Sequence, residues 1–140
     1  MRTLICGSIA YDTVMVFQGR FADHILPDQV HILNVSFLVP EMKREFGGCA
    51  GNIAYSLKCL GGEPLPMATV GEDAGPYLDR LDALAIDRRY VLQVPGSYTA
   101  QAFITTDLND NQLTAFHPGA MGQSHLNAVP GDEGIELGII

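Results

Sequence analysis

The chain has 140 residues, 47% of them apolar, which suffices for one ordinary domain with a buried core. Acidic residues outnumber basic ones 16 to 8, for a formal charge of −8, and the only adjacent basic pairs are Lys43-Arg44 and Arg88-Arg89. That argues against nucleic acid and anionic membrane as partners, because both need a concentrated positive face, and leaves neutral small molecules open.

Residues 3–6 form a short apolar run stopped by Gly7, the pattern of a buried strand and too short for a signal peptide. A second strand, rich in β-branched residues, is predicted over 12–17. Residues 19–29 read as a polar loop containing Pro27, and 31–39 as a strand closed by Pro40. The clearest helix covers 48–60, where Ala50, Ile53, Ala54, Leu57 and Leu60 define one buried face and Gly61-Gly62 marks the stop. A strand over 65–70 leads to a second helix opened by residues 71–76, with Asp73 as candidate cap and Leu78, Leu81 and Leu84 facing inward. A short strand at 91–94 follows. Strands at 99–106 and 112–117 then flank the polar turn 107–111 in a hairpin. The apolar stretch 136–140 starts a further strand with nothing after it to cover it, from which truncation is expected. Cys6, Cys49 and Cys59 show no Cys-x-x-Cys spacing, and His24, His31, His117 and His125 add no ligand pattern. The expectation is therefore reduced thiols, no metal and a cytoplasmic protein, with no run near the roughly 20 apolar residues of a membrane span.

Two constellations bear on chemistry. Gly47-Gly48-Cys49-Ala50-Gly51-Asn52 places backbone without Cβ atoms ahead of the best helix, and Asn52 one turn inside it. This is either a tight turn with Asn52 in solvent or a cradle for a hydroxyl-bearing ligand. Gly7-Ser8-Ile9-Ala10-Tyr11-Asp12 follows the first strand, where ligands of open α/β sheets gather. Ionised Asp12 either caps a turn or accepts two hydrogen bonds from a vicinal diol. The sequence has no P-loop, no Gly-x-Gly-x-x-Gly fingerprint and no Gly-x-Ser-x-Gly elbow.

Taken in order, residues 4–8 with Asp12, then Gly47-Gly48 with Asn52, Ala54, Leu57 and Leu60-Gly61, then Val70-Gly71-Glu72-Asp73 with Gly75, Leu78 and Leu81, resemble the ribokinase-like (phosphofructokinase-B type) kinases. The resemblance covers this chain but only the first half of a typical member, and residues 32–40 and 114–120 look most like bacterial adenosine and nucleoside kinases. It implies a partial ribokinase-like α/β fold: a mostly parallel central sheet with flanking helices and a small β-sheet lid. The core segments would be about 1–11, 47–95 and 118–140, and the lid strands about 12–46 and 96–117. Asp12 would hold two sugar hydroxyls, with Gly47, Gly48 and Asn52 on the same sugar and Ser8 assisting. Leu113, Ala115 and His117 would face the base, His117 being a departure where an apolar residue is usual. The lid would close over the substrate and exclude water.

The resemblance also implies ATP with Mg2+ as phosphoryl donor, and a catalytic aspartate in an acidic Gly-Ala-Gly-Asp turn. No such turn occurs here, the nearest segment being the ordinary-looking turn at 130–134. The expectation is therefore a substrate-binding part of an ATP-dependent nucleoside kinase acting on a 5′-hydroxyl, inactive by itself and with no catalytic residue of its own. An apolar lid stretch, Phe37, Leu38 and Val39, offers a homodimer contact. The rival readings are a sugar kinase of the same family, a non-catalytic nucleoside- or sugar-binding fragment, and an unrelated dinucleotide-binding domain.

Overall fold

Residues 1–129, 131 and 134–140 are described in a computed structural model; most of the turn read at 130–134, and the side chain of Gln29, lie outside the described residues. The first apolar run forms β1 (Arg2–Cys6), and the strand read at 65–70 is longer, β4 (Glu63–Val70). With β5 (Val91–Gln93) and β8 (Leu137–Ile139) they make a parallel sheet ordered β5-β4-β1-β8. The near-unbroken burial of β4 is what a parallel strand covered on both faces requires. One face packs Ile5, Ala68 and Val70 against α1 (Cys49–Cys59) and α2 (Gly75–Ala83); the other buries Leu4, Leu65 and Met67.

Helix α1 ends in a Schellman closure: the Gly61 N–H donates to Lys58 O at 3.0 Å and the Gly62 N–H to Leu57 O at 2.9 Å, with Gly61 at φ +82°. Its buried face is narrower than the apolar spacing predicts. Ala50, Gly51 and Ala54 are buried, whereas Leu60 is 85% exposed and Ile53 lies on a groove beside Leu137 and Ile139. In α2, Tyr77 joins Leu81 inside, while Leu78 and Leu84 are partly buried.

The second sheet is mixed, ordered β3-β2-β6-β7, and consists of β2 (Ala10–Val16), β3 (Glu41–Gly47), β6 (Ala100–Thr106) and β7 (Gln112–His117). The strand expected at 31–39 is displaced. A 3-10 turn occupies Pro27–Ile32, irregular chain follows, and the strand begins after Pro40 rather than ending at it. Physically, Pro40 lacks a ladder donor, while the charged residues of β3 are tolerated because this is an edge strand exposed over most of its length. Phe37 turns inward, its ring 4.8 Å from Phe17 and 4.9 Å from Phe21, so of the expected pairing stretch Leu38 is the most exposed residue. Among the described residues no helix is long and apolar enough to cross a membrane.

Candidate functional site

Two connections meet where the sheets join: residues 7–9 between β1 and β2, and the turn from Gly47, the last residue of β3, through Gly48 into α1. Gly48 has φ +90° and ψ 140°, and a Cβ there would stand 2.5 Å from Ser8 O and 2.8 Å from Ala10 N. Only glycine fits, which fixes how α1 starts. Ser8 then caps the helix from outside. Its carbonyl accepts the Ala50 N–H at 3.0 Å and its Oγ accepts the Cys49 N–H at 3.0 Å. The Ser8 N–H in turn donates to Cys49 Sγ at 3.3 Å, and Ser8 Oγ lies 3.4 Å from that sulfur. Hydrogen bonding by the Ser8 side chain, and then its backbone, lowers the Cys49 thiol below its ordinary pKa against an opposing contribution from burial.

Asp12 lies on the same sheet face as Gly47. A Cβ on Gly47 would collide with this carboxylate, reaching within 2.8 Å of its Cγ, so the missing side chain is the space the carboxylate occupies. The Gly47 carbonyl accepts the Tyr77 hydroxyl at 2.8 Å. Burial first, with further contributions from Tyr11 and Asp12, pushes the Tyr77 phenol up to about 12 against the nearby Arg80 charge, so it stays a donor. Among the described residues no hydrogen bond or ion pair reaches the Asp12 carboxylate, which is half-buried. The turn-capping role weighed for Asp12 is absent from this arrangement.

The structure thus gathers Ser8, Asp12, Gly47 and Gly48. Ser8 and Cys49 open onto a cleft of about 470 Å³ shared with Cys6, Met67 and Met121. Asn52 is exposed one turn along α1, on a separate groove of about 390 Å³ with Ile53, Ser56 and Leu137.

Leu113, Ala115 and His117 are not brought to Asp12. They pair with Thr105, Phe103 and Gln101, whereas Asp12 shares its row with Ala102 and Phe116. Side chains alternate along a strand, so these three residues occupy the opposite face, and the Asp12 face of β7 carries Gln112, Thr114 and Phe116. His117 instead packs near Tyr98, with ring centroids 6.5 Å apart. Asp73, read as a helix cap, caps nothing: the N-cap of α2 is Ala74, without a side-chain bond. Its carboxylate reaches the mixed sheet instead, as does the Tyr77 hydroxyl, and neither Tyr77 nor Phe116 of β7 was singled out by periodicity. Among the described residues no cluster of three or more His, Cys, Asp or Glu side chains is arranged to hold a metal ion.

The nucleoside kinase of Burkholderia thailandensis, solved in complex with inosine, superposes with a TM-score of 0.80 at 60% identity, over 97% of this chain and 43% of its own. The nucleoside kinase of Methanocaldococcus jannaschii, an archaeal member of the ribokinase family, superposes at 0.80 with 26% identity, over 99% of this chain and 44% of its own. A nucleoside kinase of Methanothermobacter thermautotrophicus is 32% identical over 89 residues, 62% of this chain and 29% of that protein. The architecture is that of the N-terminal part of a ribokinase-type α/β fold. The chain spans less than half the length of these relatives. The sequence profile of the pfkB family carbohydrate kinases matches residues 10–130, and the chain belongs to that family.

Proposed function

We propose that this chain is the nucleoside-binding part of an ATP-dependent kinase that phosphorylates the 5′-hydroxyl of a nucleoside. The observation that carries this reading is the Asp12 carboxylate, seated over Gly47 with its acceptors unclaimed by the described residues. A half-buried carboxylate without donors suits two adjacent ribose hydroxyls, which donate to it together. The Burkholderia thailandensis enzyme has been solved with inosine and with ADP-inosine, which supports a nucleoside acceptor and a nucleotide donor. The mixed sheet acts as the lid. Phe116, two strands from Asp12 in the same row and thus roughly 10 Å away, takes the base-facing role first read for Leu113, Ala115 and His117. Ser8 and Gly48 shape the floor, whereas Asn52 faces the separate groove beside Leu137 and takes no part in it.

The two adjacent basic side chains of β3 are already engaged and are not offered to a triphosphate. Lys43 pairs with Glu45, and Arg44 lies over the Tyr11 ring. No transfer step is assigned to them; the contribution of this chain is to bind and orient the acceptor.

The test measures inosine and 2′-deoxyinosine affinity by calorimetry in the native chain and in Asp12→Ala. Hydrogen bonds to a charged group contribute about 1.5–3 kcal/mol each, so losing both costs inosine about two to four decades of affinity. The deoxynucleoside lacks one donor, and the ribo/deoxy preference collapses in Asp12→Ala because the two losses share one contact. A preference that survives the substitution removes Asp12 from the site.

A further inference from the structure

We infer that Asp73 is a positioning residue, the latch that fastens the lid to the parallel-sheet core and thereby sets the Asp12 carboxylate; the Asp12 half of this inference rests on the nucleoside reading above. Asp73 follows β4 in the 3-10 turn Glu72–Ala74 and so belongs to the core. Its carboxylate binds groups that belong to the lid. Oδ1 accepts the Thr99 N–H at 2.7 Å, at the entrance to β6, and Oδ2 accepts Gln101 Nε2 at 3.0 Å, within β6. Arg44 Nη2 of β3 lies 3.6 Å from Oδ2. The Asp73 carbonyl also accepts the Tyr11 hydroxyl of β2 at 3.2 Å, and the Arg44 guanidinium sits 3.7 Å above the Tyr11 ring.

One core residue therefore touches three neighbouring lid strands. Its side chain is 22% exposed, so these charge-assisted bonds are partly shielded from water. The contact is directional. Tyr11 and Asp12 are consecutive on β2 and point to opposite faces, so fixing Tyr11 from below fixes the backbone that carries Asp12 above. The neighbours of Asp73 reinforce the clasp: the Gly71 N–H donates to Thr99 Oγ1 at 3.0 Å, and Glu72 Oε1 accepts the Gly96 N–H at 2.8 Å. The Gly71-Glu72-Asp73 segment is thus a lid clasp.

The experiment combines hydrogen exchange with inosine titration on the native chain, Asp73→Asn and Arg44→Ala. The asparagine keeps one acceptor but loses the charge, and Arg44→Ala removes a half-exposed partner from the lid side should Asp73→Asn fail to fold. Amide exchange is expected to quicken about tenfold in Glu41–Gly47 and Ala100–Thr106 while Arg2–Cys6 and Glu63–Val70 stay unchanged. Inosine affinity is expected to fall about tenfold in Asp73→Asn, with Arg44→Ala adding little in the double variant. Equal quickening in both sheets makes Asp73 a general stability residue and overturns the latch. Selective quickening with unaltered inosine affinity overturns its link to Asp12. If the native chain takes up no inosine, the nucleoside reading fails, and the exchange pattern alone decides for or against the latch.

Discussion

Two aspartates stand at opposite ends of the mixed sheet, and the same side chain does different work at each. Asp107, just past β6, is 3% exposed and fully engaged. Its Oδ2 accepts the Phe21 N–H at 2.9 Å, and its Oδ1 accepts the Asn109 and Asn111 N–H groups, each at 2.9 Å. The Asn111 side chain donates to both oxygens. Burial alone would raise its pKa, but the donors from Phe21, Asn111 and Asn109 overcome that and hold it at about 2. Asp12, near the core end of β2, has no such donor among the described residues. A carboxylate already saturated by its own chain is architecture; one held in place with acceptors to spare is available to a ligand.

The sharpest way to break this contrast is to remove each in turn. Asp107→Ala leaves the buried Phe21 N–H without an acceptor and unties the turn 107–111, so it should lower the melting temperature by calorimetry far more than Asp12→Ala does. Equal losses from the two substitutions would refute the division of labour. A subtler test is Gly47→Ala, in which the new methyl displaces the Asp12 carboxylate, a movable side-chain end. Inosine affinity should fall about tenfold, a loss of about 1.4 kcal/mol, while the melting temperature shifts little. The smallest effect is pH dependence. Because the folded-state pKa of Asp107 is depressed, its stabilisation is complete above about pH 4 to 5 and drains away as pH falls through about 2. Urea unfolding at pH 5 and at pH 2 should show Asp107→Asn approaching the native chain at the lower value, and a constant gap would contradict the assignment.

The parallel core was largely legible because burial on both faces leaves its strands as apolar runs, and α1 was legible from its 3.6-residue spacing and double glycine. That Asp12 lies beside the Gly47-Gly48 turn was readable from the order of the motifs, through the family resemblance they carry. Three features were not. Strand β3 is charged along most of its length, so hydropathy passed over it and settled on residues 31–39. The face of β7 depends on pairing register, and a shift of one residue exchanges Leu113, Ala115 and His117 for Gln112, Thr114 and Phe116. Asp73 has the position of a helix cap, and only the tertiary approach of Thr99 and Gln101 shows where its charge is used.

The sheet order also sets a timetable. β6 and β7 are joined by a short turn and can zip as soon as both have formed, whereas β1 pairs on one side with β4 and on the other with β8, Thr3 lying beside Leu137. Closing a contact between residues so distant in sequence is slow and entropically costly. During synthesis one edge of β1 therefore waits unpaired until Leu137–Ile139 has left the ribosome. The β6–β7 hairpin can mature before the β1–β8 pairing closes.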